Sequence, residues 1–187
     1  RRYYRSDSLW NMKLACRTGG RWNPGVEALR SADAIVDVSG GDSFADLYGQ
    51  ARFDAIAQHK LFALENDKPL ILLPQTYGPF QKPENKRLAE TIVRRAAMAW
   101  ARDERSYQAL QELLGADYDP ARHLCGVDMA FGLMRYEPRV PVAAPVGDWL
   151  QRPQDEILVG VNVSGLLYGK DQENAEVFDF RAEYGSV

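Results

Sequence analysis

Three groups of residues in this chain could do chemistry, and each follows an apolar run. The first is Ser39-Gly40-Gly41-Asp42-Ser43, after Ile35-Val36-Asp37-Val38. The second is Pro74-Gln75-Thr76-Tyr77-Gly78-Pro79-Phe80, after Leu70-Ile71-Leu72-Leu73. The third is Arg102-Asp103-Glu104-Arg105-Ser106, after Met98-Ala99-Trp100-Ala101. Paired glycines let a ligand approach the backbone, and a glycine turn at a helix start offers N–H groups to an anion. Asp42, Ser43 and Asp46 add hydrogen-bonding side chains. Gln75 and Thr76 could bond the hydroxyls of a sugar or a phosphate. Arg102 carries a guanidinium fork suited to carboxylates and phosphates. Asp128, after a fourth run at Arg122–Cys125, could serve as a general base or a hydrogen-bond anchor.

Each group also has a purely structural reading. Asp42 or Ser43 could simply cap a helix, and the second group could be a rigid turn between two prolines. Arg102 could pair with Asp103 or another acid, and Asp128 could cap a loop. Ser106 lies three residues after Asp103, a position that a surface helix residue could equally hold. His59 falls off the apolar face of its helix, and His123 has no obvious partner. Neither histidine is assigned a role.

The elements that must position these residues follow from periodicity. Pro24 suits the first turn of a helix reaching Arg30. A strand is expected over about 34–38 and a helix over about 52–66, with Phe53, Ile56, Ala57, Leu61 and Leu64 on one face. A buried strand over 70–73 is followed by an exit loop from Pro74. A helix over about 83–97 leads to a short strand at 98–101. Asp103 then N-caps a helix that ends at Gly115, and a strand over 122–125 follows. Upstream, Leu9, Trp10, Met12, Leu14 and Ala15 could line one side of a short helix. Strands alternating with helices of this length imply an α/β fold with a doubly wound, Rossmann-like parallel sheet. In such sheets ligands sit beyond the carboxyl ends of the strands, where all three groups fall.

Composition narrows the function. The chain has 187 residues, 45% hydrophobic and 26% charged, with a formal net charge of −3, so no general attraction to nucleic acid or an anionic membrane is expected. Two cysteines, Cys16 and Cys125, and two histidines make a structural zinc site improbable and favour a reduced, cytoplasmic protein. No apolar run approaches the length of a membrane span. Residues 1–135 read as the first domain, with no recognisable strand before the one at 34–38, and the proline-containing stretch 136–155 reads as an extended linker. Ile157–Val163 reads as another buried strand. With few residues after it, 156–187 is expected to be the opening of a second, truncated α/β domain, and the fragment alone to be inactive.

Taken in order, these motifs resemble one family, the polysaccharide pyruvyl transferases. The resemblance is carried by Val38-Ser39-Gly40-Gly41-Asp42-Ser43, Pro74-Gln75-Thr76-Tyr77-Gly78-Pro79-Phe80 and Arg102-Asp103-x-x-Ser106. Asp128-x-Ala130-Phe131 and Gly160-Val161-Asn162-Val163-Ser164-Gly165 complete it, so that it covers about residues 32–165. It implies a two-domain fold like that of GT-B glycosyltransferases, with the site in the cleft between domains. The implied reaction moves a pyruvyl group from phosphoenolpyruvate to hydroxyls of a sugar in a polysaccharide or cell-wall glycan precursor, forming a ketal. Phosphoenolpyruvate is the donor, and no cofactor or metal is implied. The partners would be the donor and a sugar or lipid-linked glycan acceptor, the latter compatible with peripheral membrane association; a homo-oligomer is also allowed. The residues so implicated are Asp42 and Asp128 as catalytic groups. Gly40, Gly41, Ser43, Gln75, Thr76, Gly78, Arg102, Ser106, Asn162 and Ser164 would bind substrate.

Two other classes fit the same residues. A nucleotide-sugar-dependent glycosyltransferase would share the fold and differ in its donor. A non-catalytic protein could keep the fold and the cleft without turnover. A dinucleotide oxidoreductase is disfavoured because the glycine spacing is not GxGxxG.

Overall fold

The computed structural model describes residues 8–19, 23–133, 144, 146–150 and 159–161. The chain divides into two units, Arg1–Phe131 and Gly132–Val187. The first carries α1 (Leu9–Arg17), α2 (Pro24–Ser31), β1 (Ile35–Asp37), α3 (Gln50–Glu65), β2 (Leu70–Gln75), α4 (Pro83–Arg95), β3 (Met98–Ala101), α5 (Glu104–Leu114) and β4 (His123–Cys125). The four strands form one parallel sheet in the order β1-β2-β3-β4. This is the α/β, Rossmann-like arrangement that the alternation of apolar runs implies.

One face of the sheet carries the core. Leu70, Leu72, Ala99 and Ala101 are buried against Phe53, Ala57, Ala89, Ile92, Leu110 and Leu114 of α3, α4 and α5. Small alanines on β3 let the helices approach closely, and the bulky residues come from the helices. The helix ends follow from local chemistry. Asn23 accepts from the N–H groups of Gly25 and Val26 to cap α2. Asp103 accepts from the Ser106 N–H at 2.7 Å to cap α5, and Gly115, at φ +53°, ends it. α1 holds less apolar surface than its sequence suggests. Ala15 is buried, while Trp10 and Leu14 are exposed.

The second strand departs from expectation. It runs on through Pro74 and Gln75 rather than ending at Leu73. Strict alternation would send Gln75 to the face opposite Leu70 and Leu72. A register shift between Leu72 and Gln75 inserts an extra residue relative to β3, and Gln75 pairs with Ala101. The bulge accommodates the proline, which cannot donate to the ladder, and returns Gln75 to the buried face.

Of the second unit, the described residues include a short helix, α6 (Val146–Leu150). The stretch expected to be an extended linker is therefore helical in part: the seven residues between Pro145 and Pro153 contain no helix breaker but Gly147. Residues 159–161 belong to no strand, and Val159 and Val161 are exposed. The buried strand expected over 157–163 is thus not formed at these three positions. Among the described residues no helix is long and apolar enough to cross a membrane.

Candidate functional site

The glycine turn is built from below. Ser39, Gly40 and Gly41 have φ of +48°, +63° and +85° in succession. Two of the three are glycines because L side chains are strained there. The exception, Ser39, is held by its side chain, which donates to the Asp37 carboxylate at 2.7 Å. Lys60 of α3 reaches the same place. Its ammonium lies 2.6 Å from Asp37 Oδ1, contacts Ser39 Oγ and sits 4.6 Å from the Phe44 ring centroid. Lys60 is 1% exposed. Burial pushes its pKa down, against the opposing pull of Asp37. The turn is also anchored from its far end. Phe44 is fully buried and packs on Phe53, Tyr77 and Phe80 at centroid distances of 6.4, 6.1 and 5.8 Å, contacts worth about 0.5–1.5 kcal/mol each beyond the area they bury.

The turn and the second motif are stitched by backbone. The Thr76 N–H donates to the Gly41 carbonyl at 2.7 Å, and the Gly78 N–H to the Phe44 carbonyl at 3.0 Å. Asp46 closes the same loop onto α4. It accepts from the N–H groups of Gln81 and Lys82 at 2.8 and 3.0 Å and from the Asn85 amide at 3.0 Å. Burial alone would raise the Asp46 pKa, but these three donors together hold it below the usual carboxylate range.

The third motif joins across the top. The Arg102 N–H donates to the Gln75 carbonyl, and the guanidinium turns toward the glycine turn. A Cβ on Gly41 would lie 3.2 Å from Arg102 Nη1, so the absent side chain is what lets the cation lie against the backbone. Arg102 Nη1 donates to Asp128 Oδ2 at 3.1 Å, and Nε lies 3.5 Å from Asp103 Oδ2. The other Asp128 oxygen caps its own loop by accepting from the Ala130 N–H at 2.8 Å.

Asp42 faces Tyr48 and Ser43. The Tyr48 hydroxyl donates to Asp42 Oδ2, and Ser43 Oγ donates to Oδ1 at 3.3 Å. Burial, with the Asp42 carboxylate beside it, pushes the Tyr48 phenol up to about 12, while Arg52 and Arg102 pull the other way. Both guanidinium groups therefore act on one small region. Arg52 Nη2 donates to Ser43 Oγ at 2.9 Å, and its guanidinium carbon lies 5.8 Å from the Tyr48 ring centroid. Within the turn, Gly41 donates to the Val38 carbonyl and Ser43 to the Ser39 carbonyl. The N–H groups of Gly40 and Asp42 have no partner among the described residues.

The structure thus gathers Gly40, Gly41, Asp42, Ser43, Thr76, Arg102 and Asp128 at the carboxyl ends of β1 to β4. It treats the other expected residues differently. Gln75 is fully buried, with neither amide atom hydrogen-bonded among the described residues, and Thr76 Oγ1 is likewise unsatisfied. Gly78 shapes the loop: a Cβ there would lie 3.2 Å from Phe80. Ser106 is 4% exposed rather than on the surface, and it turns back on Asp103. Asn162 and Ser164 lie outside the described residues. His123 is buried in β4, and its Nδ1 accepts from the Asp119 N–H at 2.9 Å. Among the described residues no group of three or more His, Cys, Asp or Glu could hold a metal ion.

Sequence reasoning missed Lys60, Tyr48 and Arg52. Lys60 had a signal, since it falls three residues after Ala57 and four before Leu64 on the apolar face of α3. A lysine there must find an acid or break the core. Tyr48 and Arg52 had none, because their roles depend on how the loop 42–49 folds back.

The polysaccharide pyruvyl transferase family model matches residues 1–183. The chain belongs to this family. An amylovoran biosynthesis protein, AmsJ of Erwinia amylovora, is 30% identical over 106 residues, which are 57% of this chain and 24% of that protein. The chain therefore spans a minor part of that relative's length. No solved structure gives a significant match. The GT-B-like, Rossmann-like fold is consistent with that membership.

Proposed function

We propose that the protein transfers the pyruvyl group of phosphoenolpyruvate to two hydroxyls of a sugar, forming a cyclic ketal on a polysaccharide or glycan precursor. The observation that carries this reading is Arg102. It leaves β3 beside a glycine turn with two N–H groups that have no partner among the described residues, and its guanidinium lies against Gly41. A donor bearing both phosphate and carboxylate asks for a cation and backbone donors at one place.

In this scheme the methylene of the donor gains a proton and becomes a methyl group, which makes C2 electrophilic. Two acceptor oxygens each form a bond to C2, the C2–O bond to phosphate breaks, and inorganic phosphate leaves. Both acceptor hydroxyls lose protons. Arg102 and the turn hold the anionic donor and the departing phosphate. Asp42 and Asp128 are the bases or sugar anchors, Ser43 steadies Asp42 through its hydroxyl, Thr76 ties the second motif to the turn through its backbone N–H, and Arg52 adds a second cation beside Ser43. Gln75 acts from beneath, through its carbonyl on Arg102. The scheme calls for no cofactor beyond the donor. The acceptor is a sugar or lipid-linked glycan, as the role of the relative in amylovoran biosynthesis suggests.

The test incubates the full-length protein with phosphoenolpyruvate and glycan acceptors. The reading expects acceptor-dependent phosphate release and a product heavier by one pyruvyl ketal. Thermal stabilisation by nucleotide sugars, with none by phosphoenolpyruvate, would contradict it and favour a glycosyltransferase.

A further inference from the structure

The cation proposed for the donor is already taken. Arg102 Nη1 donates to Asp128 Oδ2 at 3.1 Å, while Nε faces Asp103 at a looser 3.5 Å. Both acids divide their oxygens alike: Asp103 Oδ1 caps α5 through the Ser106 N–H and Asp128 Oδ1 accepts from the Ala130 N–H, which leaves each Oδ2 for Arg102. Asp128 is the one within hydrogen-bond distance, its Oδ2 accepting from Arg102 Nη1. Both Arg102 and Asp128 are partly open to solvent, with side chains 29% and 35% exposed. An incoming anion can reach the pair, and exchanging one carboxylate for another costs little at such a site.

From this geometry we infer that Asp128 is an intramolecular competitor of the donor for Arg102, and that donor binding releases it. In the free protein the Asp128 carboxylate stands where an anionic oxygen of the donor would lie. When the donor takes Arg102, Oδ2 is freed while Oδ1 stays fixed by Ala130, so the carboxylate remains at the site with an open lone pair. A base that becomes available only after the donor has bound would order the reaction, donor first and acceptor second. This inference rests on the assignment of Arg102 to the donor anion.

Calorimetric titration of the full-length protein with inorganic phosphate and with phosphoenolpyruvate tests it, using Asp128→Asn and Arg102→Ala. Asp128→Asn keeps the oxygen that caps Ala130, so the loop holds. The expected result is phosphate and donor binding tightened about three- to fivefold, the worth of a partly exposed ion pair, together with lower turnover. Asp103→Asn should tighten binding less. If Arg102→Ala abolishes phosphate binding but Asp128→Asn leaves it unchanged or weaker, the competition is refuted while the donor site stands. If Arg102→Ala leaves phosphate binding unaltered, the donor assignment fails and the competition falls with it.

Discussion

Two ion pairs flank the same glycine turn, and they differ in burial. Below the turn, the ammonium of Lys60 is fully buried against Asp37, whose side chain is 22% exposed. Above it, Arg102 and Asp128 are both about a third exposed. The lower pair also holds the Ser39 hydroxyl, and its cation lies over the Phe44 ring. The Lys60 ammonium is shut off from solvent, so losing Asp37 would leave its charge buried and unpaired. The upper pair can exchange partners with solvent or a ligand at low cost. Charge type alone does not separate scaffold from site; access does. The buried cation fixes the shape of the turn, and the exposed one can change partners.

The contrast can be broken most forcefully at Lys60. Replacing it by Met leaves Asp37 and Ser39 without their cation and should cost about 3–5 kcal/mol, read by urea unfolding. Adding Asp37→Asn to that variant should restore much of the loss. A loss below about 1 kcal/mol would put Lys60 in the same class as the surface pairs.

Asp46 tests the anchoring of the loop on α4. Asp46→Ala should cost about 1–3 kcal/mol because three donors lose their acceptor. The pH dependence has a defined sign. The folded Asp46 pKa lies below its unfolded value of 3.8, so the unfolded state binds the proton more readily. Its contribution is complete above that unfolded value and is lost as pH falls through the folded one. Unfolding curves of the wild type should lose stability over that acid range, and the slope should be shallower in Asp46→Ala. Equal slopes would show that the three hydrogen bonds do not hold the carboxylate in its charged form.

Gly41 separates shape from charge. At φ +85° an alanine is strained by about 1–2 kcal/mol, and its Cβ would meet Arg102 Nη1 at 3.2 Å. Gly41→Ala should therefore lose donor binding beyond what its stability change explains, and an unaltered affinity would detach Arg102 from the turn. Arg102→Ala should have the smallest effect on folding, within about 1 kcal/mol.

Much of this arrangement is legible in the sequence because it depends on local pattern. The strand–turn–helix alternation, the Asp103 cap and the Gly115 stop all follow from neighbours within a few residues. So does the convergence of the Gly40-Gly41 and Arg102 motifs, since a parallel sheet sends successive strand ends to one side. What escapes is set by distant contacts. Gln75 is buried because a bulge opposite β3 turns it inward; Pro74 is the local sign of a bulge, but the face to which Gln75 returns is set by the pairing with β3. Tyr48 and Arg52 reach Asp42 and Ser43 only once the loop closes over Phe44. Lys60 lay between these cases: its place on the apolar stripe was visible, its partner Asp37 was not.

In the proposed reaction Arg102, not Lys60, is the cation that meets the donor. That assignment is tested most directly by titrating phosphoenolpyruvate into wild-type protein and Arg102→Ala, with the melting temperature of each recorded. The variant should melt close to wild type and show no donor binding. Donor affinity that survives the loss of Arg102 would contradict it.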